Sequence, residues 1–151
     1  MESRVLPKHF DAAVLVRTAE PLKFYRVEFP DLKFGQVLVK INYSGVCRSQ
    51  LMEIDGNRGE DKWLPHMLGH EGSGEIIAVG DGVKKVKIGE EVILTWIKGE
   101  GVEADRPQSY SSNGIKINAG HVTTFSNYSV VSENRVAKKP LKKFFVNVCH
   151  C

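Results

Sequence analysis

Residues 64–93 read LPHMLGHEGSGEIIAVGDGVKKVKIGEEVI and contain the pattern that decides the fold. Two segments rich in isoleucine and valine, GSGEIIAVG (72–80) and EEVILTWI (90–97), lie on either side of a polar turn. Short runs of such residues, bordered by glycine and aspartate, are typical of β-strands. Just before the first run, His70 and Glu71 stand side by side between glycines. The stretch therefore predicts two neighbouring strands, with a polar pair at the start of the first.

Further strands are predicted on both sides of this stretch. The segments are AAVLV (12–16), FYRVEF (24–29), QVLVKINYS (36–44) and NYSVVS (127–132). Helical periodicity is limited to a short turn around CRSQLMEI (47–54), and the dipeptide Asn113-Gly114 signals a hairpin within the long connection 98–126. Several strands with turn signals between them predict a closed or nearly closed β-barrel.

Composition and charge narrow the class of protein. The chain has 151 residues, 42% of them hydrophobic and 26% charged, which is typical of globular proteins. Its net charge of +3 is small, and a nucleic-acid-binding protein usually has a denser basic patch, so no nucleic-acid partner is expected. No apolar run approaches the roughly 20 residues of a membrane span. The N-terminus lacks the pattern of a secretory signal, so we expect a cytoplasmic protein.

Two residues are candidate metal ligands. Cys47 and His70 lie on predicted loops, one at the end of a strand and the other at the start of another. Zinc binds cysteine sulfur and histidine nitrogen, and Glu71 offers a carboxylate as a third ligand or as a partner of the histidine. A buried cysteine and a solvated turn explain the same residues without a metal. Spacing alone leaves both interpretations open.

The order and spacing of three segments resemble one family. VLVKINYSGVCRSQ (37–50), residues 64–93 and FSNYSVVSENRV (125–136) are similar to the N-terminal catalytic domain of zinc-dependent medium-chain alcohol dehydrogenases. The resemblance covers about residues 11–137. It implies a mainly β, GroES-like, partly open barrel with few short helices, and a zinc ion at a cleft that faces a separate Rossmann domain.

The resemblance assigns roles to five residues. Cys47 and His70 match two catalytic zinc ligands, and Glu71 matches the carboxylate beside the metal. Ser49 matches the hydroxyl of the proton relay, and Arg48 matches a position that contacts the cofactor's pyrophosphate in some members. In this family, zinc acts on the oxygen of an alcohol whose hydride passes to NAD(P).

The chain departs from the family at several points. Gln50 stands where many members have aspartate, which alters the expected partner of the zinc-bound histidine, and His66 is not expected to be a ligand. Residues 90–126 contain no cysteine, so the family's structural zinc is not expected.

The family's third zinc ligand and its dinucleotide-binding domain are expected to lie beyond these 151 residues. No Gly-x-Gly-x-x-Gly motif follows a predicted strand and opens a helix, so NAD(P) is expected only where a Rossmann domain is supplied. We predict a domain over residues 1–137 and a basic tail of unknown role over 138–151, which ends in Cys149, His150 and Cys151.

These features predict the catalytic-domain portion of a zinc-dependent alcohol dehydrogenase that acts on a small alcohol or aldehyde. By itself the chain is expected to be weakly active or inactive. The surface that would face a Rossmann domain is expected to be apolar and available for association. The alternatives are a zinc-binding or protein-binding module and a truncated, non-catalytic remnant.

Overall fold

The structure, a computed structural model, describes residues 7–104 and 109–140, and the predicted terminal cluster Cys149, His150 and Cys151 lies outside these ranges. The described residues form ten strands, one α-helix and one 3-10 helix. These elements are β1 (His9–Leu15), β2 (Lys23–Glu28), β3 (Gln36–Ser44), α1 (Arg48–Ile54), β4 (His66–Met67), β5 (Glu71–Val79), β6 (Glu91–Thr95), β7 (Ser109–Ser112), β8 (Ile115–Asn118), β9 (Tyr128–Ser132), the 3-10 helix (Glu133–Arg135) and β10 (Val136–Lys138).

The strands form two five-stranded sheets. The first has the order β2-β1-β4-β8-β7, and the second has the order β10-β6-β5-β3-β9. Neighbouring strands are antiparallel except for β4 and β8, which are parallel. The mainly β architecture with few short helices that the sequence predicts is confirmed, and the described residues include no Rossmann domain.

The segment before β9 joins the two sheets. Ala13 of β1 donates its N–H to the carbonyl of Phe125, and Ile41 of β3 donates to the carbonyl of Asn127. At the open side of the first sheet, the Ser112 hydroxyl donates to the Arg26 carbonyl over 2.8 Å, which connects β7 to β2 by a side chain. The two sheets are therefore not closed, which corrects the closed or nearly closed barrel predicted from the strand pattern and agrees with the partly open barrel that the resemblance implies.

Strand β3 separates two hydrophobic cores. Val37 and Val39 pack in one core with Ile76 of β5, and Leu38 packs in the other. Alternate side chains of a strand point to opposite faces, so the first half of β3, residues 36–39, is buried on both faces between the two cores. The second half of the strand is mostly exposed and ends at Ser44.

The Asn113-Gly114 hairpin is confirmed. Both residues have positive φ, 49° and 80°, as a two-residue turn between paired strands requires. The two-residue strand β4 and the short strand β10 were not apparent from sequence patterns, because each is too short to show alternation. Strand β10 includes Lys138, and the predicted division of the chain at residue 137 stays a prediction.

A buried carboxylate holds the connection that follows β6. The side chain of Glu133 is 2% exposed, and its oxygens accept N–H groups from Lys84, Lys85 and Val102 at 2.5–2.7 Å. Arg135 donates to the carbonyl of Trp96 and, over 2.9 Å, to Glu103. In the part of the chain that the structure describes, a carboxylate and a guanidinium therefore hold this connection.

No helix in the described part of the chain has the length and apolar character of a membrane span. The cytoplasmic location stays a prediction.

Candidate metal and substrate site

The segments that carry Cys47 and His70 meet at one edge of the second sheet. Strands β3 and β5 pair up to Ser44 opposite Gly72, and the Gly45 N–H then donates to the Glu71 carbonyl over 3.1 Å. Cys47 follows two residues after Gly45, and His70 precedes Glu71. Backbone pairing therefore brings the two candidate ligands to the same end of the β3–β5 ladder.

Glycines allow this close approach of β5 to β3. A Cβ atom on Gly72 would lie 2.6 Å from the carbonyl oxygen of Tyr43, and one on Gly74 would overlap the carbonyl oxygen of Lys40. A side chain at either position would force the strands apart. The glycines of the sequence motif are thus explained by backbone packing beside the site.

Gly69 is required for a different reason. Its φ of +96° lies in a region that residues with side chains rarely adopt. A Cβ atom there would also lie 2.6 Å from the backbone nitrogen of Thr124 and 2.8 Å from that of Phe125. The turn immediately before His70 therefore requires glycine at position 69.

Gly69→Ala is expected to lower the free energy of unfolding by about 2–6 kcal/mol. Backbone strain of this kind costs about 1–3 kcal/mol, and forced overpacking costs about 1–3 kcal/mol. Urea denaturation at neutral pH measures the loss. The matched control is Gly59→Ala, because Gly59 has a similar φ of +90° but no atom within 4 Å of the added Cβ. Equal losses in both variants would contradict the packing argument.

Helix α1 begins immediately after Cys47. Cys47 is the N-cap residue in an extended conformation, and its N–H donates to Gln50 Oε1 over 3.2 Å. Gln50 is 2% exposed, so this contact is shielded from water. In this structure the amide that replaces the family's aspartate fixes the start of the helix that follows Cys47.

The other predicted residues lie around this helix start. The Ser49 hydroxyl is 3.5 Å from Cys47 Sγ, and Arg48 is exposed on the first turn of α1. Cys47, His70 and Glu71 are each partly exposed. The Glu71 carboxylate packs over the Cα of Gly45, where an added Cβ would lie 2.5 Å from Oε1.

The donor atoms of Cys47, His70 and Glu71 do not all lie within 4.8 Å of one another. Among the described residues, the three donors that meet this distance belong to Glu53, Asp61 and His66. His66 Nε2 is 2.7 Å from Asp61 Oδ2 and 3.7 Å from Glu53 Oε1, and its Nδ1 is 3.1 Å from the carbonyl of Met67.

We interpret this second cluster as a contact between elements. Glu53 belongs to α1 and also lies 3.6 Å from Arg58, whereas His66 belongs to β4. Both imidazole nitrogens face oxygen atoms of the protein, Nδ1 the Met67 carbonyl and Nε2 the Asp61 carboxylate. The cluster therefore ties the helix after Cys47 to the strand that leads to His70.

A hydroxyl that the sequence did not reveal lies between the two stretches. Thr124 Oγ1 donates to the Glu71 carbonyl over 3.0 Å and lies 2.7 Å from the hydroxyl of Ser44. Thr124 is 1% exposed. Thr124 is one of two adjacent threonines, and nothing in the sequence distinguishes it from Thr123.

An aromatic residue follows β6 beside the same edge. Thr95 pairs with Glu71, and the next residue, Trp96, is about half exposed and contacts His121 at 5.6 Å between ring centroids. Burial lowers the pKa of His121, and the positive charge of Arg135 lowers it further. The Trp96–His121 ring pair therefore follows directly on the strand residue that pairs with Glu71.

These features define a GroES-like domain with a thiol and an imidazole at one sheet edge. Residues 33–141 match the family model of the alcohol dehydrogenase GroES-like domain. The chain belongs to this family, as the sequence motifs indicated.

Curated relatives extend the comparison. The chain is 31% identical to the S-(hydroxymethyl)glutathione dehydrogenase of Synechocystis sp. and 30% identical to that of Escherichia coli. Each match covers 84% of this chain and 41% of the relative. The chain thus spans about two fifths of the length of these relatives.

Solved structures show the same fold. An alcohol dehydrogenase zinc-binding domain protein from Burkholderia ambifaria superposes with a TM-score of 0.77 at 24% identity, over 89% of this chain and 42% of that chain. The 2R,3R-butanediol dehydrogenase of Bacillus subtilis superposes with a TM-score of 0.64 at 26% identity, over 87% of this chain and 40% of that chain.

Proposed function

We propose that this chain is the metal-binding, catalytic-domain portion of a zinc-dependent alcohol dehydrogenase, which oxidises an alcohol to an aldehyde or ketone with NAD(P). The observation that carries the proposal is the hydrogen bond from Gly45 N–H to the Glu71 carbonyl, since it sets Cys47 and His70 at one edge. This edge lies within the segment that matches the family. The relatives named as dehydrogenases of S-(hydroxymethyl)glutathione support a substrate that carries a hydroxyl group.

The donor set suits zinc. A thiolate and an imidazole are ordinary zinc ligands, and a carboxylate is a common third donor. Cys47 and His70 would hold the ion, with Glu71 beside them as a further oxygen donor. When bound, zinc supplies Lewis-acid polarisation of the substrate oxygen.

Two neighbouring side chains have roles in the proposed reaction. The Ser49 hydroxyl lies 3.5 Å from Cys47 Sγ, and a hydroxyl both accepts and donates a proton. Ser49 is thus placed to take the proton of the substrate alcohol and pass it to solvent. Arg48, exposed beside it, offers a fixed positive charge to the cofactor's pyrophosphate.

We also propose that an apolar area around the site is the surface that contacts the cofactor-binding domain, since exposed apolar patches mark interaction sites. Its exposed side chains are Val46, Leu51, Met52, Trp96 and Ile97. They flank Cys47 on one side and follow the β6 strand that pairs with Glu71 on the other. The relatives are about two and a half times as long as the matched region, which favours a cofactor-binding domain as the partner of this surface.

Metal titration of the purified chain tests the proposal. Zn²⁺ has a filled d shell and no visible spectrum, so Co²⁺ is the useful probe. We expect the metal-free chain to bind about one Co²⁺ with thiolate-to-metal absorption, and Zn²⁺ to displace it. A folded chain that binds Co²⁺ without thiolate absorption, or binds none, would contradict the proposal and favour a non-catalytic module.

The 151-residue chain alone is expected to form no NADH or NADPH above background from alcohols, even with zinc present. The hydride acceptor has to be held against the substrate, and the chain lacks the glycine-rich dinucleotide motif. Absorbance of the reduced cofactor measures the rate, with the S-(hydroxymethyl)glutathione dehydrogenase of Escherichia coli and its own substrate as a positive control. Zinc-dependent turnover by the chain would show that it binds cofactor by itself.

A further inference from the structure

We propose that Thr124 is a positioning residue that fixes the backbone on both sides of His70. The inference deepens the proposed metal site and rests on that function. Two carbonyl groups enclose the Gly69-His70 dipeptide, and Thr124 contacts both. The Leu68 carbonyl accepts the Thr124 N–H over 3.1 Å, and the Glu71 carbonyl accepts the Thr124 hydroxyl over 3.0 Å.

The same hydroxyl reaches the segment that leads to Cys47. The hydroxyl oxygen of Ser44 lies 2.7 Å from Thr124 Oγ1, within hydrogen-bond distance, and either hydroxyl can be the donor. Ser44 ends β3, three residues before Cys47. One side chain therefore connects the backbones that carry both candidate ligands.

Burial and packing give this contact its strength. Thr124 is 1% exposed, so water does not replace its hydroxyl, and a lost hydrogen bond would leave buried groups unsatisfied. Gly69 packs directly against it, which leaves no space for the segment to move towards Thr124. Residues that do not touch the metal but hold its ligands in place by hydrogen bonds typically change metal affinity about 10–100-fold when they are replaced.

The test compares Thr124→Val with Thr123→Val. Valine keeps the shape of threonine and removes the hydroxyl. Thr123 is a matched control because it is 2% exposed and its hydroxyl contacts Ser129, away from the Glu71 carbonyl. We expect Thr124→Val to weaken Co²⁺ affinity about 10–100-fold, and Thr123→Val and Thr124→Ser to stay near the wild-type value.

A second readout needs no metal. The Gly45 N–H shares the Glu71 carbonyl with Thr124, so its hydrogen exchange, measured by NMR on the metal-free chain, reports the position of that carbonyl. We expect exchange at Gly45 to rise about threefold to tenfold in Thr124→Val, as expected for the loss of one hydrogen bond, and to be unchanged in Thr123→Val.

The outcomes separate this inference from the proposed function. Equal changes in both valine variants, or no change in Thr124→Val, would overturn the positioning role. If the wild type binds no Co²⁺, the proposed metal function fails, and the Gly45 exchange alone decides whether Thr124 positions the segment. If Thr124→Val does not fold, Thr124→Ala takes its place, because it also removes the hydroxyl that donates to the Glu71 carbonyl; unchanged affinity and unchanged exchange at Gly45 in that variant would overturn the inference.

Discussion

Cys47→Ser and His70→Ala are each expected to abolish stoichiometric zinc binding and to leave the two sheets folded. Loss of a residue that only holds a metal ligand in place weakens metal affinity about 10–100-fold. Removal of a ligand itself should weaken zinc binding by more than this. Both side chains are partly exposed and belong to neither core, so their replacement removes little packing. Elemental analysis of dialysed protein measures zinc per chain, and circular dichroism monitors the fold.

Two controls make this result specific. His9→Ala removes a partly exposed histidine from β1, which belongs to the other sheet, and should keep the wild-type zinc content. A chain with both Cys149→Ser and Cys151→Ser should also keep it, because adjacent terminal residues chelate one ion poorly. Zinc that survives in Cys47→Ser and disappears in the terminal double variant would place the metal at the tail and refute the site at the sheet edge.

Glu133→Ala is expected to lower the free energy of unfolding by about 3–5 kcal/mol. The carboxylate accepts the N–H groups of Lys84, Lys85 and Val102, and a buried donor left without an acceptor costs about 1–3 kcal/mol. Urea denaturation at pH 7 measures the loss. Glu133→Gln is the matched variant, because it keeps the shape and one acceptor oxygen, and it should lose about 1–3 kcal/mol.

The contribution of Glu133 should disappear in acid. Burial alone would raise the pKa of this carboxyl group, but the backbone N–H groups of Lys85, Val102 and Lys84 outweigh it, and the pKa is lowered from 4.5. Since the folded pKa lies below the unfolded value, the stabilisation is complete above the unfolded value and is lost as the pH falls through the folded pKa.

The stability difference between wild type and Glu133→Gln should therefore shrink as the pH falls below the ordinary carboxyl range. A difference that stays constant from neutral to acid pH would show that the charge of Glu133 is unimportant to the fold.

Loss of the Glu133 contacts would also release the connection that begins at Trp96, because Arg135 follows in the same 3-10 helix and binds the Trp96 carbonyl.

Much of the architecture was predictable from local patterns. The strands around residues 36–44 and 71–79 follow from runs of branched residues, and the Asn113-Gly114 turn follows from the conformations that only such pairs adopt readily. Strand β6 is shorter than its apolar run, since it ends at Thr95 where the Trp96 carbonyl turns to Arg135. That partner lies 39 residues away, and no local pattern reveals it.

The candidate site likewise has features that were predictable from the sequence and features that depend on contacts between distant segments. The sequence motifs were sufficient to nominate Cys47 and His70, and the backbone pairing of Ser44 with Gly72 brings their segments to one sheet edge. Their role as zinc ligands stays a prediction. Gln50 was expected to alter the partner of the zinc-bound histidine, and this stays a prediction; in the structure its amide oxygen accepts the Cys47 N–H at the helix start. A residue that caps a helix and a residue that accepts a hydrogen bond from a histidine both need a side-chain oxygen. The residue type alone therefore did not show which of the two roles Gln50 has.

The class of fold, the family and the residues with the chemistry to hold a metal could be predicted from the sequence, because they depend on periodicity and on motif order. The buried polar groups that support these residues became identifiable only in the folded chain. Thr124 and Thr123 are indistinguishable in sequence, yet only Thr124 contacts the Glu71 carbonyl. Glu133 resembles a surface glutamate until the fold surrounds it with N–H groups from two distant segments. Hydrogen bonds between such segments depend on the path of the whole chain, and that path is fixed only when both cores pack.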